Sequence, residues 1–524
     1  MTIELRSLLG GQWVAGGGQP DLLVNPTDSS PLAHASTQGL DLGEGLRQAR
    51  AASSTLRSLG YAARAALLGK TAEVLAQSRA RYFEIALRNS GSTEADAGID
   101  IDGALFTLKF FARVGAALGS ASYLAERDRL SLSKDGAFDA THIAVPVRGA
   151  AIHINAFNFP AWGLWEKAAP TLLSGVPLVA KPATATAWLA HEMIKDVHAA
   201  KIWPEGALSL ICGRAGDLLD HVNSDDVVSI TGSAQTAALI RGNRHVLRQS
   251  VRVNVEADSV NCALLAPDVV AGSAEFDLFI KEVVREITVK AGQKCTAIRR
   301  AMVPATLLPI VREALLARLS SIEVGNPAVK SVRMGPLVNK SQQKAAFLGI
   351  RRLAEEADLV LGGTDQSPLT DASFEHGAFV PPTLLLCQDP DKSRLVHETE
   401  VFGPVATLLP YRDLDHAFDL ARRGGGSLVA SVYSSDEQVL RAAALELATT
   451  HGRVLAINAS VAASHTGHGN VMPQCVHGGP GRAGGGEELG GLRALDFYHR
   501  RAAIQGPAAT IAALSTEGSL RGNP

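Results

Sequence analysis

The first part of the chain is rich in Ala and Leu, and its apolar residues recur at helical spacing. This pattern predicts three long helices, over residues 42–59, 62–88 and 100–118. We interpret these helices as a scaffold. No later run is long and apolar enough to span a bilayer, so the pattern predicts no membrane segment.

From about residue 141 the pattern changes to short apolar strands that alternate with helical segments. It predicts strands over 142–147, 150–154, 177–181, 207–212 and 227–230, and helices over 187–199 and 215–222. This alternation is typical of a doubly wound parallel sheet, which binds ligands beyond the carboxyl ends of its strands. We therefore expect the loops 155–158, 181–184, 213–216 and 231–233 to form one cofactor-binding face.

A second α/β unit is predicted between residues 266 and 458. Its predicted helices are 275–291, 307–319 and 341–356, and its predicted strands include 405–411, 428–433 and 454–458. A chain of 524 residues, 46% of them hydrophobic, is long enough for two or three packed domains.

The charge balance excludes some classes of partner. A formal net charge of −2 gives no electrostatic footprint for nucleic acid or for an anionic membrane, so it favours small-molecule chemistry. The first residues contain an early acid and lead into Gly10-Gly11, unlike a secretion signal. We expect a cytoplasmic protein.

The five cysteines are odd in number and scattered, which argues against a disulfide framework. Cys212, Cys262 and Cys387 lie in apolar runs and are predicted to be buried. Cys295 differs because it lies in a polar turn, Gly-Gln-Lys-Cys-Thr, after an apolar helix. It is the candidate nucleophile, and the adjacent Lys294 could favour its thiolate form.

A glycine-rich stretch covers residues 478–491 and includes Gly479 to Gly484, a formal match to the dinucleotide fingerprint G-x-G-x-x-G. We reject a phosphate site here because no apolar strand precedes it and Pro480 removes one amide donor. We interpret the stretch as a structural loop that borders a substrate entrance. The nearby His465, His468, Cys475 and His477 do not have zinc-site spacing, and we expect no metal.

Several separated segments, taken together, resemble the aldehyde dehydrogenase superfamily and occur in the family's order. Residues 156–160 (Ala-Phe-Asn-Phe-Pro) resemble its Pro-Trp-Asn-Phe-Pro, and residues 181–183 and 231–233 resemble its Lys-Pro-Ala and Thr-Gly-Ser. Glu256 falls where the family has Glu-Leu-Gly-Gly-Lys. Residues 292–295 and 400–405 resemble Gly-Gln-x-Cys and Glu-Ile-Phe-Gly-Pro-Val.

The resemblance implies an α/β, aldehyde dehydrogenase-like fold with three parts. They are a doubly wound cofactor-binding domain over 1–126 and 150–265, an α/β catalytic domain over 266–475, and a small oligomerisation extension over 127–149 and 476–505, followed by a tail over 506–524. Residues 495–504 resemble the family's terminal oligomerisation strand. We therefore expect a homodimer or a dimer of dimers.

The resemblance also assigns catalytic roles. Cys295 attacks the aldehyde carbon, and the Asn158 side chain and the Cys295 backbone amide stabilise the oxyanion. Glu256 activates the water that releases the acid, for which we expect a raised pKa. Asp258 stands where the family has glycine, and it either repels the Glu256 carboxylate or orients water.

Eight residues are implied as cofactor-binding: Phe157, Lys181, Thr184, Arg214, Gly232, Ser233, Glu400 and Phe402. Glu400 is expected to bind the nicotinamide ribose and Phe402 to pack near the nicotinamide ring, while Gly232-Ser233 open a helix toward the pyrophosphate. Where the family often has a glutamate that holds the ribose 2′-hydroxyl, this chain has Thr184. Because the repelling carboxylate is missing and Lys181 and Arg214 are available, we predict NADP in preference to NAD.

The stretch from His477 to Gly491 resembles the branch of the family that acts on coenzyme A-linked semialdehydes in aerobic aromatic degradation. This implies a CoA-linked aldehyde as substrate and a carboxylic acid as product. Two alternatives are a CoA-acylating dehydrogenase and a catalytically silent nucleotide-binding protein. Glu256 argues against the first, which needs no general base for water, and Cys295 argues against the second.

Overall fold

The computed structural model describes residues 2–126 and 128–520. Met1, Arg127 and residues 521–524 lie outside the described residues, and so do the parts of the predicted segments 1–126, 127–149 and 506–524 that fall on them. The strands are β1 (Ile3–Leu5), β2 (Ser7–Leu9), β3 (Gln12–Val14), β4 (Asp21–Val24), β5 (Pro31–Ala35), β6 (Leu124–Ala125), β7 (Leu130–Ser131), β8 (Phe138–Pro146), β9 (Ala151–Ile154), β10 (Leu178–Lys181), β11 (Leu208–Leu210), β12 (Val227–Thr231), β13 (Arg252–Glu256), β14 (Cys262–Leu265), β15 (Arg300–Pro304), β16 (Asp358–Leu361), β17 (Thr383–Leu386), β18 (Val405–Tyr411), β19 (Ser427–Tyr433), β20 (His451–Ile457), β21 (Val476–Gly478), β22 (Glu487–Leu489), β23 (His499–Pro507) and β24 (Ser519–Leu520). The helices are α1 (Leu42–Ala51), α2 (Ser53–Ser58), α3 (Gly60–Gln77), α4 (Arg79–Ser90), α5 (Glu94–Ala116), α6 (Trp162–Ser174), α7 (Ala187–Ala199), α8 (Ala234–Arg241), α9 (Arg244–Arg248), α10 (Ala274–Thr288), α11 (Leu308–Ser320), α12 (Lys340–Leu353), α13 (Leu395–Glu398), α14 (Leu414–Arg422), α15 (Glu437–Ala448) and α16 (Ala508–Glu517).

The helical character predicted for the first part of the chain is confirmed, but the helices are shorter. The segment 42–59 divides into α1 and α2, and the segment 62–88 divides into α3 and α4 at Ser78. Helix α5 begins earlier than predicted because Thr93 and Asp96 form a capping box, in which the Thr93 hydroxyl accepts a hydrogen bond from the Asp96 amide (3.2 Å).

The predicted doubly wound sheet is present, with strand order β13-β12-β9-β10-β11-β2-β3. Strands β9 to β13 are parallel, and the chain winds outward from β9 in both directions. The N-terminal hairpin of β2 and β3, which we did not predict, adds two antiparallel strands at one edge. The carboxyl ends of β9, β10, β12 and β13 meet at one edge, where doubly wound sheets bind their ligands.

One predicted helix of this unit is wrong. Residues 215–222 contain only a short 3₁₀ turn, Leu218–His221. Gly213 and Gly216 adopt φ values of 124° and 52°, outside the right-handed helical region, so the chain turns back toward β12 before a helix can form.

The second sheet has the order β16-β17-β18-β15-β14-β19-β20 and is parallel except for β16. Apolar clusters cover both faces of this sheet. The predicted helix 275–291 ends early, at Thr288, because Lys290 and Ala291 are left-handed, with φ of 52° and 50°. This kink redirects the chain into the turn that contains Cys295.

A third sheet has the order β23-β8-β6-β24, with β7 also paired to β8. Its longest ladder joins β8 and β23 in antiparallel register. The predicted strand at 495–504 begins later, at His499, because residues Gly491–Tyr498 form a 3₁₀ helix. The domain boundaries and the oligomerising role of this sheet remain predictions. Among the described residues, no helix combines the length and the apolar character that crossing a membrane requires.

Candidate active site

Cys295 lies in a braced turn between the left-handed kink and β15. The Asn261 amide donates to the Cys295 carbonyl (2.7 Å), and the Thr296 hydroxyl donates to the Gly469 carbonyl (2.9 Å). Cys295 is partly exposed, whereas Cys212, Cys262 and Cys387 are buried as predicted. Its surroundings therefore distinguish it from the core cysteines.

The prediction that Lys294 favours the thiolate form of Cys295 is wrong. The Lys294 ammonium lies 2.6 Å from the Glu286 carboxylate, and both side chains are buried, so its charge is already paired. Burial, followed by the adjacent Glu256 carboxylate, raises the pKa of the Cys295 thiol well above its usual value. The thiol therefore resists ionisation in the resting site, and its sulfur lies within 4.8 Å of a Glu256 carboxylate oxygen.

Glu256 is the last residue of β13, and its side chain is only 4% exposed. The expectation of a raised pKa is wrong. Burial raises the pKa of this carboxyl, but the charges of His477 and Lys167 outweigh burial and lower the pKa to about 2. The resting site thus has an ionised carboxylate beside a protonated thiol.

Three residues at this site were missed from the sequence, Glu166, Lys167 and Glu488, and a fourth, His477, was considered only as a zinc ligand. Lys167 lies 2.9 Å from the Glu166 carboxylate and 2.7 Å from the Glu488 carboxylate, so it bridges two acids. Carboxylate oxygens of Glu166, Glu256 and Glu488 all lie within 4.8 Å of one another. A Glu-Lys pair inside the otherwise apolar run of α6 was the available signal, since buried charges need partners.

The glycine-rich stretch forms the antiparallel hairpin β21–β22, which packs against β13. The Gly486 amide donates to the Val255 carbonyl (3.1 Å), and the Ala257 amide donates to the Ala483 carbonyl (2.9 Å). A Cβ at Gly484 or Gly486 would lie 2.4 Å from the Val255 oxygen. The glycines are therefore required for close approach to the strand that carries Glu256. The strand β21 precedes Gly479, which we did not predict, but the segment then forms only a three-residue 3₁₀ turn, Gly481–Ala483, and the rejection of a phosphate site remains a prediction.

The four candidate zinc ligands do not come together among the described residues. His468 bonds the Ser431 hydroxyl (2.8 Å) and Cys475 is exposed, while His477 lies at the active site. The clusters with metal-ligand spacing in the described chain are Glu256 with Cys295 and His477, and Glu256 with Glu166 and Glu488. The expected absence of a metal remains a prediction.

Asn158 shares a cavity of about 40 Å³ with Cys295 and Glu256. The cavity is lined by Asn155, Ala156, Asn158, Phe159, Trp162, Gly163, Glu166, Thr231, Glu256, Cys295, Thr296, Gly469, Val471 and His477. The structure thus brings the three predicted catalytic residues to one place. The buried Asn155 side chain also lines this cavity, and it has no hydrogen-bond partner among the described residues.

Glu400, Phe402 and Phe157 lie on the side expected to hold the nicotinamide end of the cofactor. One Glu400 oxygen accepts the Ser259 amide (3.2 Å), while the other is buried and has no hydrogen-bond partner among the described residues. Burial raises the pKa of Glu400 to about 7. The rings of Phe157 and Phe402 contact edge to face, with centroids 5.6 Å apart.

Lys181 is the last residue of β10, Thr184 lies in the loop after it, and Arg214 lies in the loop after β11. Lys181 is buried, its ammonium donates to the Pro182 carbonyl (3.1 Å), and burial lowers its pKa. The Thr184 hydroxyl donates to the Gly213 carbonyl (3.1 Å). Arg214 is mostly exposed and pairs with Asp21 (2.8 Å) beside a cavity of about 680 Å³.

Ser233 caps helix α8, so the predicted helix opening at Gly232-Ser233 is confirmed. The Asp258 carboxylate accepts the Ala234 amide (2.9 Å) at the start of that helix. Neither role that we left open for Asp258 is supported by this contact, because the carboxylate is engaged by α8.

Comparison with known proteins agrees with this geometry. The aldehyde dehydrogenase family model matches residues 13–504. The chain is 52% identical to a 3,4-dehydroadipyl-CoA semialdehyde dehydrogenase of Aromatoleum evansii over 479 residues, which cover 91% of this chain and 93% of that protein. It is 23% identical to a D-glyceraldehyde dehydrogenase (NADP(+)) of Thermoplasma acidophilum, covering 84% of this chain and 85% of that one.

Among solved structures, betaine aldehyde dehydrogenase of Staphylococcus aureus in complex with NAD+ has the same fold. The TM-score is 0.84 at 22% identity, covering 97% of this chain and 95% of that chain. The family model matches nearly the whole chain, and the 52% identical relative is covered over nearly its whole length. The chain belongs to the aldehyde dehydrogenase family.

Proposed function

We propose that the protein oxidises a CoA-linked semialdehyde, 3,4-dehydroadipyl-CoA semialdehyde or a similar compound, to its carboxylic acid in aromatic compound degradation. The observation that carries the proposal is the Cys295 thiol within 4.8 Å of the buried Glu256 carboxylate, in a cavity shared with Asn158. The 52% identity to a 3,4-dehydroadipyl-CoA semialdehyde dehydrogenase supports the substrate.

The first half of the reaction forms a bond between Cys295 and the aldehyde. Glu256 takes the thiol proton, sulfur attacks the carbonyl carbon, and the carbonyl oxygen becomes an oxyanion that accepts a hydrogen bond from the Asn158 amide. A nicotinamide cofactor held beside this carbon would supply the hydride acceptor. Loss of hydride from the former aldehyde carbon leaves a thioester on Cys295.

The second half is hydrolysis of this thioester. Glu256 first releases to solvent the proton that it took from Cys295, which restores the carboxylate. It then takes a proton from water, the resulting hydroxide adds to the thioester carbon, and the Cys295 thiolate leaves as the acid forms. The ionised Glu256 carboxylate beside Cys295 supports water as the acceptor of the acyl group. A CoA-acylating enzyme would use a thiol in this step and would not need that base.

We propose NADP as the cofactor, with NAD as a weaker one. The residues present fit a nicotinamide dinucleotide because Glu400 has a buried oxygen free to accept from a ribose hydroxyl and Phe157 and Phe402 offer an apolar wall. Lys181 and Thr184 would face the adenosine ribose, and the absence of a carboxylate at Thr184 favours a 2′-phosphate. Arg214 could also contact this 2′-phosphate, but its guanidinium is already paired with Asp21.

We further propose a cytoplasmic homodimer or dimer of dimers. The reduced state of five unpaired cysteines supports a cytoplasmic location. The nine-residue strand β23 at the end of the third sheet supports pairing with a second copy, because long exposed edge strands are normally covered.

The proposed function is tested by mixing the purified protein with NADP or NAD and a panel of free and CoA-linked aldehydes. We expect reduced nicotinamide to appear, fastest with a CoA-linked semialdehyde, without added free CoA. Reduction that requires free CoA would establish the acylating alternative. No reduction with any aldehyde would establish a silent nucleotide-binding protein.

The cofactor preference is tested with Thr184→Glu. A carboxylate at this position repels a 2′-phosphate, so kcat/KM with NADP should fall by roughly 10-fold or more while kcat/KM with NAD is retained. Thr184→Val is the matched control, because it removes the hydroxyl without adding charge. Equal losses with both cofactors in Thr184→Glu would contradict the proposed position of the 2′-phosphate.

A further inference from the structure

His477 is a buried histidine beside the catalytic carboxylate, at a position that the sequence analysis considered only for zinc. It lies on β21, is 3% exposed, and places its Nε2 atom 3.3 Å from a Glu256 carboxylate oxygen. Its other ring nitrogen has no hydrogen-bond partner among the described residues. The ring therefore makes an ion-pair contact with Glu256, and its other nitrogen makes no hydrogen bond in the described chain.

The distribution of charge at the site explains why Glu256 needs this partner. Three carboxylates cluster there, and Lys167 makes its short contacts with two of them, Glu166 and Glu488. Within the described chain, the ion-pair contact of the third carboxylate, Glu256, is with His477. The Thr231 hydroxyl is a weak additional donor at 3.5 Å.

The other titratable and charged groups around the pair come from four elements. They are Glu166 and Lys167 of α6, Glu488 of β22, Arg453 of β20, and Cys295 of the catalytic turn. The Arg453 guanidinium donates to the carbonyls of His468 and Asn470 and opposes protonation of His477. Burial, the largest cause, also lowers the pKa of His477, but the charges of Glu256 and Glu166 outweigh both effects and raise this pKa.

We propose that His477 is a positioning residue for hydrolysis of the acyl-enzyme: its imidazolium holds the Glu256 carboxylate beside Cys295 and supplies the positive charge that keeps this carboxylate ionised. The inference rests on the proposed function, since it assigns a role within that reaction. Hydrolysis of the thioester requires Glu256 as a base, so protonation of Glu256 defines the acid limb of this step.

The sign of the effect follows from electrostatics. An adjacent cation lowers the pKa of a carboxyl by about one to three units, so removing the cation raises the pKa of Glu256. A higher pKa leaves less ionised base at low pH. The acid limb of acyl-enzyme hydrolysis should therefore move to higher pH when His477 loses its charge.

The test measures the decay of the acyl-enzyme against pH in His477→Gln and His477→Phe. Enzyme in excess over aldehyde is loaded with NADP, quenched with acid at intervals, and analysed by intact mass. In both variants we expect the acid limb to rise by about one pH unit or more. His477→Gln, whose neutral amide can donate a hydrogen bond to Glu256, should keep a high-pH rate close to the native rate, whereas His477→Phe should lose about 10-fold there.

The matched control is His468→Gln, which removes another buried histidine that bonds Ser431. Its acid limb should stay at the native pH. A purely structural role for His477 would lower the rate at all pH values without moving the limb, and that result would overturn the proposal. If His477→Phe does not fold, the pH of the acid limb in His477→Gln is sufficient to test the proposal. Failure of the native enzyme to reduce NADP with any aldehyde would instead remove the proposed function.

Discussion

At the scale of single residues, the nucleophile is assigned by its surroundings. Cys295 shares a cavity with Glu256 and Asn158, whereas Cys475 is an exposed cysteine outside that cavity. We expect Cys295→Ala to lower kcat for aldehyde oxidation by about 10⁴-fold or more, because no other group can form the thioester. Absorbance of the reduced nicotinamide measures this loss. Cys475→Ala should retain native activity, and turnover by Cys295→Ala would eliminate the covalent route.

The residue types of the site were predictable from the sequence, but their electrostatics were not. Cys295, Glu256 and Asn158 stand in ordered motifs, and the fold brings them together. The pKa values depend on partners from other parts of the chain. Lys294 is paired by Glu286 from α10, and Glu256 is paired by His477 from the hairpin β21–β22. Sequence neighbours alone do not reveal such partners.

The Lys294–Glu286 ion pair gives a prediction about stability. Both side chains are buried, so Lys294→Met leaves an unpaired buried carboxylate and should cost about 3 kcal/mol or more. Denaturant unfolding measures this cost. The double variant Lys294→Met with Glu286→Gln should recover most of it, because the stranded charge is gone. The pH profile of Cys295 alkylation should change little, and a large shift would restore a direct role for Lys294 in thiolate formation.

At the scale of elements, the glycine-rich hairpin determines the position of β13. A Cβ at Gly486 would lie 2.4 Å from the Val255 oxygen, next to Glu256, whereas a Cβ at Gly485 would meet no atom within 4 Å. Gly486→Ala should therefore displace the hairpin or β13, lowering the melting temperature and reducing kcat by about 10-fold or more. Gly485→Ala should cost only about 1 kcal/mol of backbone strain, since its φ is positive, with kcat unchanged. Equal kcat in the two variants would show that the close packing is unimportant.

Elements were predictable where the apolar period was long and uninterrupted. The alternation from residue 141 onward predicted four of the parallel strands of the first sheet, β9 to β12. It failed at residues 215–222, where glycines with positive φ prevent a helix, and at residues 289–291, where Lys290 is held left-handed while its amide donates to Asp96 (2.9 Å). The hairpin of β2 and β3 was missed because three-residue strands carry little periodic signal.

At the scale of the whole molecule, buried neutral histidines link folding to pH. Burial lowers the pKa of His397, His451 and His499 to about 4. The unfolded chain binds these protons near pH 6.5, so stability is full above that pH and is lost as the pH falls toward 4. Each group contributes a slope of about 1.4 kcal/mol per pH unit in this window.

Urea unfolding between pH 7.5 and 4.5 measures this slope. His499→Gln removes one proton-binding group, so it should reduce the slope of the unfolding free energy against pH by about 1.4 kcal/mol per pH unit, whatever its effect on the stability at neutral pH. His376→Gln is the control, since that side chain is 64% exposed, and it should leave the slope unchanged. An unchanged slope in His499→Gln would mean that His499 is already protonated in the folded protein.

The edge of the third sheet gives the last prediction at this scale. Strand β23 pairs with β8 on one side and is the final strand of the sheet order, and its residues 500–503 are exposed. An unpaired nine-residue edge is a template for association, so we expect a second copy to cover it.

The double variant Ala502→Lys with Ala503→Lys should oppose this pairing, and light scattering should then show a smaller assembly than for the native protein. Leu445→Lys changes another exposed apolar residue, on α15, and should leave the mass of the assembly unchanged. A native protein that is already monomeric would exclude β23 as an interface, and a native-sized assembly of the lysine variant would place the interface on a different surface.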